Sequence, residues 1–145
     1  MSLLDPQASP SDLTESGVLN RARVRVERMY FDGAFADGDV RRIYMPENGR
    51  VIAAHVYRAE AGDDGTTTVD IHAKKGSAAE ASIVDAAVSI AFGDGENVRS
   101  AFNLDVDADG HGVALSGGDY IEAQIDAIEG DNRADLLVEV QYLIG

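Results

Sequence analysis

The sequence predicts an all-β fold: an antiparallel β-sandwich, jelly-roll-like, of about eight strands, with an extended N-terminal arm. Two observations predict it. The last thirty residues hold two runs of strict apolar/polar alternation around a polar turn, Gly130 to Arg133. Upstream, short alternating or apolar runs recur from residue 21 onward, with Gly, Asp and Asn clusters between them. Alternation with period 2 marks strands with one buried face, and regular turn spacing marks a sandwich or barrel.

Residues 1–20 read as an arm. They hold Pro6 and Pro10, two of the chain's three prolines, with several Ser and Asp residues. Ser11-Asp12-Leu13-Thr14-Glu15 suits a short helical turn at most. The sandwich domain is expected over 21–145. Arg21 to Phe31 alternates, and a turn-rich stretch follows from Asp32 to Asp39. Val40 to Met45 is a short strand stopped by Pro46 and the turn Glu47-Asn48-Gly49. Arg50 to Glu60 carries small residues on both faces, then Gly62-Asp63-Asp64-Gly65 turns. In Thr66 to Ala73, Thr67, Val69 and Ile71 are expected inward, and Thr68, Asp70 and His72 outward. Ser77 to Phe92 is ambiguous: Ala78, Ala79, Glu80 and Ala81 suit a helix, while Ile83, Val84, Val88 and Ile90 suit strands. A short turn or helix followed by an extended segment is expected there. Val98 to Leu104 is a strand, and the Asp-rich loop 105–112 leads into the closing pair. That pair is expected to form a hairpin. Its polar face, Glu122, Gln124, Asp126, Glu139 and Gln141, is expected to meet water.

Composition narrows the function classes. A chain of 145 residues with 45% hydrophobic content suits one globular domain. It has no cysteine, so disulfide and thiol chemistry are excluded. No apolar run approaches a membrane span. Met-Ser-Leu-Leu-Asp lacks the basic and apolar regions of a signal peptide, so use without Sec export is expected. A net charge of −14 disfavours nucleic acid and anionic lipid as partners. Arg21, Arg23, Arg25, Arg28, Arg41 and Arg42 nevertheless supply half of the 12 cations. Either they form one solvated strand face, with Ala22, Val24 and Val26 inward, or they form a basic strip that docks on an acidic partner. Tyr30, Phe31 and Phe35 beside them read as core, or as an aromatic anchor at an interface.

Asp105-Val106-Asp107-Ala108-Asp109-Gly110 is the sharpest local motif. Alternate carboxylates before a glycine resemble the opening of a calcium loop, with hard oxygens converging at a tight turn. The motif then departs: Ser116 stands where a bidentate Glu is needed, and Asp119 is the available late ligand. A structural Ca²⁺ on Asp105, Asp107 and Asp109 competes with a solvent-exposed turn, and no other cofactor is expected. His55, His72 and His111 share no metal spacing. His55 reads as packed beside Tyr57, His72 as outward, and His111 as part of the Asp loop. Gly93-Asp94-Gly95 and Gly117-Gly118-Asp119 neither open a helix nor supply a lysine. No G-x-S-x-G elbow is present, and no catalytic constellation stands out.

Five phrases, in order, carry a resemblance. They are Asn48-Gly49-Arg50-Val51-Ile52, Thr67-Thr68-Val69-Asp70-Ile71, Leu115-Ser116-Gly117-Gly118-Asp119-Tyr120-Ile121, Ile125-Asp126-Ala127-Ile128 and Ala134-Asp135-Leu136-Leu137-Val138-Glu139-Val140. Together they resemble small β-sandwich domains of tailed-phage virions: head decoration proteins, head fibres and tail tips. The resemblance spans about residues 48–143, and neither the Asp loop nor the arginine strip Arg21 to Arg42 is part of its pattern. It implies a non-enzymatic capsid decoration (cement) protein of a tailed phage or archaeal virus, on the outer surface of the capsid. It further implies the major capsid protein as partner and a homotrimer that matches local lattice symmetry. A tail, neck or receptor-binding module of the same virion is the first alternative. A calcium-dependent carbohydrate-binding sandwich is the second.

Overall fold

The computed structural model describes residues 23–32, 35–58, 65–91, 98–130 and 136–144. The arm over 1–20, Arg21, the side chain of Arg23, and residues 131–133 of the polar turn lie outside the described residues. Among those described, the fold is all-β, with ten strands and no helix. These are β1 (Arg23–Phe31), β2 (Val40–Tyr44), β3 (Gly49–Arg58), β4 (Gly65–Lys74), β5 (Ala81–Ser82), β6 (Val88–Ala91), β7 (Val98–Ala101), β8 (Val113–Leu115), β9 (Tyr120–Gly130) and β10 (Leu136–Ile144). The helix considered for Ala78–Ala81 does not form: Ser82 and Ala81 pair with His72 and Ala73 instead.

The strands make two antiparallel five-stranded sheets, sandwich-like and not closed into a barrel. The first has the order β1-β10-β3, with β7 and β8 sharing the far edge of β3. The second has the order β2-β9-β4, with β5 and β6 sharing the far edge of β4. β1 lies beside β10, β2 beside β9, β3 beside β8 and β4 beside β6.

This order corrects the closing hairpin. β9 and β10 do not pair: β9 lies between β2 and β4, and β10 lies between β1 and β3. Both strands bury one face as their alternation predicts. Ile121, Ala123 and Ile125 are buried on β9, and Leu136, Val138, Val140 and Tyr142 on β10. Alternation requires a covered face but does not choose the strand's neighbour. Here the two faces belong to opposite sheets of one core.

That core fills the interior. Phe31, Val51, Val56, Val138 and Val140 from the first sheet join Val69, Ile71, Ile90, Ile121 and Ile125 from the second in one apolar cluster. Thr67, Val69 and Ile71 point inward as predicted. Phe31 and Phe35 meet edge to face at 6.0 Å, so both are core residues, while Tyr30 stays on the surface. Truncating a fully buried residue such as Phe31 to alanine costs about 3–5 kcal/mol.

Two bulges adjust the surfaces. One lies where Gln141 and Tyr142 oppose Ala53 and Val51, which leaves Ile52 unpaired and partly exposed. The other lies where Thr68 and Val69 oppose Ala127 and Ile125, which sets Asp126 apart. Gly112 enters β8 at a φ of +104°, and a Cβ there would stand 2.3 Å from the carbonyl oxygen of Val51. Only glycine meets both conditions.

Candidate functional site

Apart from the buried Arg58 and Thr67, the interior is apolar, so most of the polar chemistry sits on the outer faces. On the second sheet the register aligns Arg42, Glu122, His72 and Ser82 across β2, β9, β4 and β5. Glu122 was expected to meet water, yet it is 2% exposed. Long neighbours on both flanks cover it. Arg42 Nε donates to its Oε1 at 2.5 Å, and Gln124 Nε2 donates to its Oε2. The Arg42 guanidinium also lies 4.3 Å from the Tyr120 ring centroid. Glu122 holds Arg42 more firmly protonated than usual.

Glu80 extends the network from the loop before β5. It accepts from Tyr120 Oη at 2.6 Å and from Gln124 Nε2 at 2.9 Å. The Tyr120 bond draws the Glu80 carboxyl below its ordinary value and, reciprocally, raises the Tyr120 phenol. His72 stands between two acids. Its Nε2 is 2.9 Å from Asp70 Oδ2, and its Nδ1 is 3.3 Å from Glu80 Oε2, close enough for charge contact but outside hydrogen-bond geometry. Ser82 Oγ donates to Asp70 Oδ1 at 2.9 Å. Its hydroxyl is thus bonded to a carboxylate rather than to the imidazole, which leaves it without the adjacent base that activates a serine. Burial and the charge of Asp70 raise the nearby Asp126. The arrangement ties four strands together by charge and hydrogen bonds.

The first sheet carries a shorter row. Arg28, Glu139 and His55 align across β1, β10 and β3. Glu139 was also expected to meet water and is instead buried. Arg28 Nη2 lies 3.3 Å from it and Tyr57 Oη lies 3.5 Å away. Arg99 Nη2 contacts His55 Nε2 at 2.7 Å. Burial and the Arg99 charge lower the His55 pKa. Of the five hairpin polar residues, Asp126 is exposed, and Gln124 and Gln141 are half-buried.

The described arginines do not form one strip. Met29 and Phe31 set the inward face of β1, so Arg25 and Glu27 share that side at its open end. Val24 and Val26 point outward with Arg28 and Tyr30, the reverse of the expected parity. Arg42 lies on the outer face of the second sheet. Arg41 closes the seam between β1 and β2. It donates to the carbonyls of Tyr30 and Val40 at 3.0 and 2.8 Å, with its guanidinium 4.8 Å from the Phe31 ring centroid.

The Asp loop is held by backbone and arginine. Asp107 Oδ2 accepts from the Ala114 amide and Asp109 Oδ1 from the His111 amide, both at 2.9 Å. Arg50 Nη2 pairs with Asp109 Oδ2 at 2.9 Å. The His111 amide, then Arg50, lowers the Asp109 carboxyl. Asp105 lies exposed at the loop's start. Among the described residues no three His, Asp or Glu side chains group as metal ligands, so the geometry does not gather Asp105, Asp107 and Asp109 around a cation.

Asp119, the other ligand considered, is a clamp. Its two carboxylate oxygens accept from the amides of Gly76 and Ser116 at 2.9 and 2.8 Å, which lowers its pKa. Its carbonyl accepts from Met45 at 2.8 Å. One residue therefore joins three loops at one end of the sheets. No family model matches this chain, and no curated protein matches it.

Proposed function

We propose that this chain is a jelly-roll β-sandwich that serves as a structural virion protein, a decoration protein on the outer surface of a capsid. The strand order supports the jelly roll. β5 with β6, and β7 with β8, read as two interrupted strands, which brings the count to eight positions.

The observation that carries the functional reading is where the resembling phrases fall. Their described residues lie mainly on β3, β4, β9 and β10, with Leu115 at the end of β8 and the others on the turns before β3 and β9. β3 and β10 are neighbours in one sheet, and β4 and β9 in the other. The phrases thus form the centre of the sandwich, and the Gly118-Asp119 phrase contains the loop clamp. In this reading the interior is packed rather than hollow, and the work is done by surfaces. The body adds binding free energy across joints between copies of the major capsid protein. Its net charge of −14 keeps decorated particles apart.

The deciding measurement is the copy number per particle, by quantitative mass spectrometry of purified virions. Copies on the order of hundreds, one set per lattice position, fit decoration. A handful of copies moves the protein to the tail or neck. Capsids stripped of the protein should lose their contents at a lower temperature, and unchanged heat resistance would overturn the reading.

A further inference from the structure

We infer that β1 is a homodimerisation edge, along which two copies of this chain pair antiparallel about Val26. This stands apart from the capsid reading and replaces the threefold association implied by the resemblance.

Three observations lead to it. Among the described residues, β1 pairs only with β10, in unbroken register from Arg23 to Phe31. That stretch has no proline and no bulge, and although Arg41 takes the Tyr30 carbonyl near its end, the part around Val26 is an open template for another strand. Its outward face carries one charge, Arg28, among exposed apolar side chains where a lone edge is ordinarily charged throughout: Val24 is 59% exposed, Val26 39% and Tyr30 45%. Half-buried Leu137 and Leu143 on β10 pair with Tyr30 and Val24 and continue that surface.

The third observation is charge, and it selects the occupant and the register. A two-fold between antiparallel edges must keep each side chain on its own face, so the axis passes through one residue of β1. With the axis at Val26, Arg25 faces Glu27 of the second copy, and Glu27 faces its Arg25. On the outward face the Val26 side chains meet, and Val24 lies against the aliphatic stem of the second copy's Arg28. Moving the axis one residue either way sets Arg25 against Arg25 or Glu27 against Glu27. Two residues further along, Arg28 meets Arg28. Opposite charges across strands are favourable and like charges directly opposite are not. The sequence of β1 is therefore complementary to itself at Val26.

Sedimentation velocity of the full chain at micromolar concentration tests this. The wild-type protein should be a dimer. Arg25→Glu alone and Glu27→Arg alone each turn both attractive pairs repulsive and should weaken association roughly tenfold or more. An equimolar mixture of R25E and E27R should restore a dimer, because each variant supplies the charge the other lacks. Val26→Lys, at an exposed position that spares the fold, should also give a monomer by setting two cations on the axis. A monomeric or trimeric wild type would overturn the inference. So would single variants that associate normally, or a mixture that stays monomeric while each variant retains wild-type circular dichroism.

Discussion

The two outer faces of this protein solve the same problem differently. Each central strand places a glutamate, Glu122 or Glu139, where a sheet face has become too crowded for water. On the second sheet, Glu122 is enclosed by Arg42 and Gln124, and the network continues through Glu80 to Tyr120 and His72. On the first sheet, Glu139 has a looser arginine that is itself 59% exposed, and a tyrosine hydroxyl at the limit of hydrogen bonding. The second face is satisfied within one chain. The first keeps a short polar row and leaves the apolar border on β1 uncovered. Buried polar groups lend rigidity when every partner is present, whereas uncovered apolar area is where a second molecule gains most.

Removing the carboxylates should separate the faces most clearly. Glu122→Ala removes a carboxylate that is itself closed to water and should cost about 2 kcal/mol, because Arg42, 44% exposed, can turn to water and Gln124 keeps Glu80 as acceptor. Glu139→Ala leaves a solvated arginine that water serves well and should cost about 1 kcal/mol. Urea unfolding at neutral pH measures both. Equal losses would break the contrast. A double-mutant cycle sharpens it: Arg42 should couple to Glu122, which is itself buried, more strongly than Arg28 couples to Glu139.

Little of this contrast was legible beforehand, and the reason is specific. The alternation in 120–127 and 136–142 identifies which side chains are buried, because a strand's faces follow from its own sequence. It does not identify neighbours. Arg42 and Glu122 are joined only through the β2–β9 register, and Glu122 and His72 only through β9–β4. Placing β9 and β10 side by side as a hairpin would have put Glu122 and Glu139 on one solvated face. The two strands instead lie in opposite sheets. The parity of β1 fails for a related reason. Val24 and Val26 look like core beside arginines, but the larger Met29 and Phe31 hold the opposite parity and take the interior. The Asp loop shows a third limit. Carboxylate spacing permits a metal, yet Arg50 reaches the same oxygens from β3.

Acid should weaken the two faces in sequence. The folded pKa of His55 is lowered, chiefly by burial and then by Arg99. Its contribution is therefore present above the unfolded value of about 6.5 and is lost as pH falls through the folded value. Glu80 is also lowered, chiefly by the Tyr120 hydrogen bond. Its contribution holds until pH drops below about 4.3 and is lost through its folded value. Falling pH also relieves the repulsion of a −14 chain, so each effect is read as wild type minus variant. Against His55→Asn, the wild-type advantage should decline from pH 7 to 5. Against Glu80→Gln, it should stay level over that range and decline only below it. A Glu80 difference that already declines near pH 6 would mean that the second face is not the tighter one.

The smallest expected effect on the fold is at Val26. If the border of β1 is a surface for association and not part of the core, Val26→Thr exchanges one β-branched side chain for another at an exposed strand position. Stability at sub-micromolar concentration should then stay within about 0.5 kcal/mol of wild type. The contrast appears on concentration. A dimer binds the folded state alone, so wild-type Tm should rise with protein concentration by mass action. In V26T that rise should shrink, because one of the two methyl groups that each copy brings to the axis is replaced by a hydroxyl. A large loss of stability in dilute V26T would place Val26 among the residues that hold the sheet together and remove the distinction between a closed face and an open one.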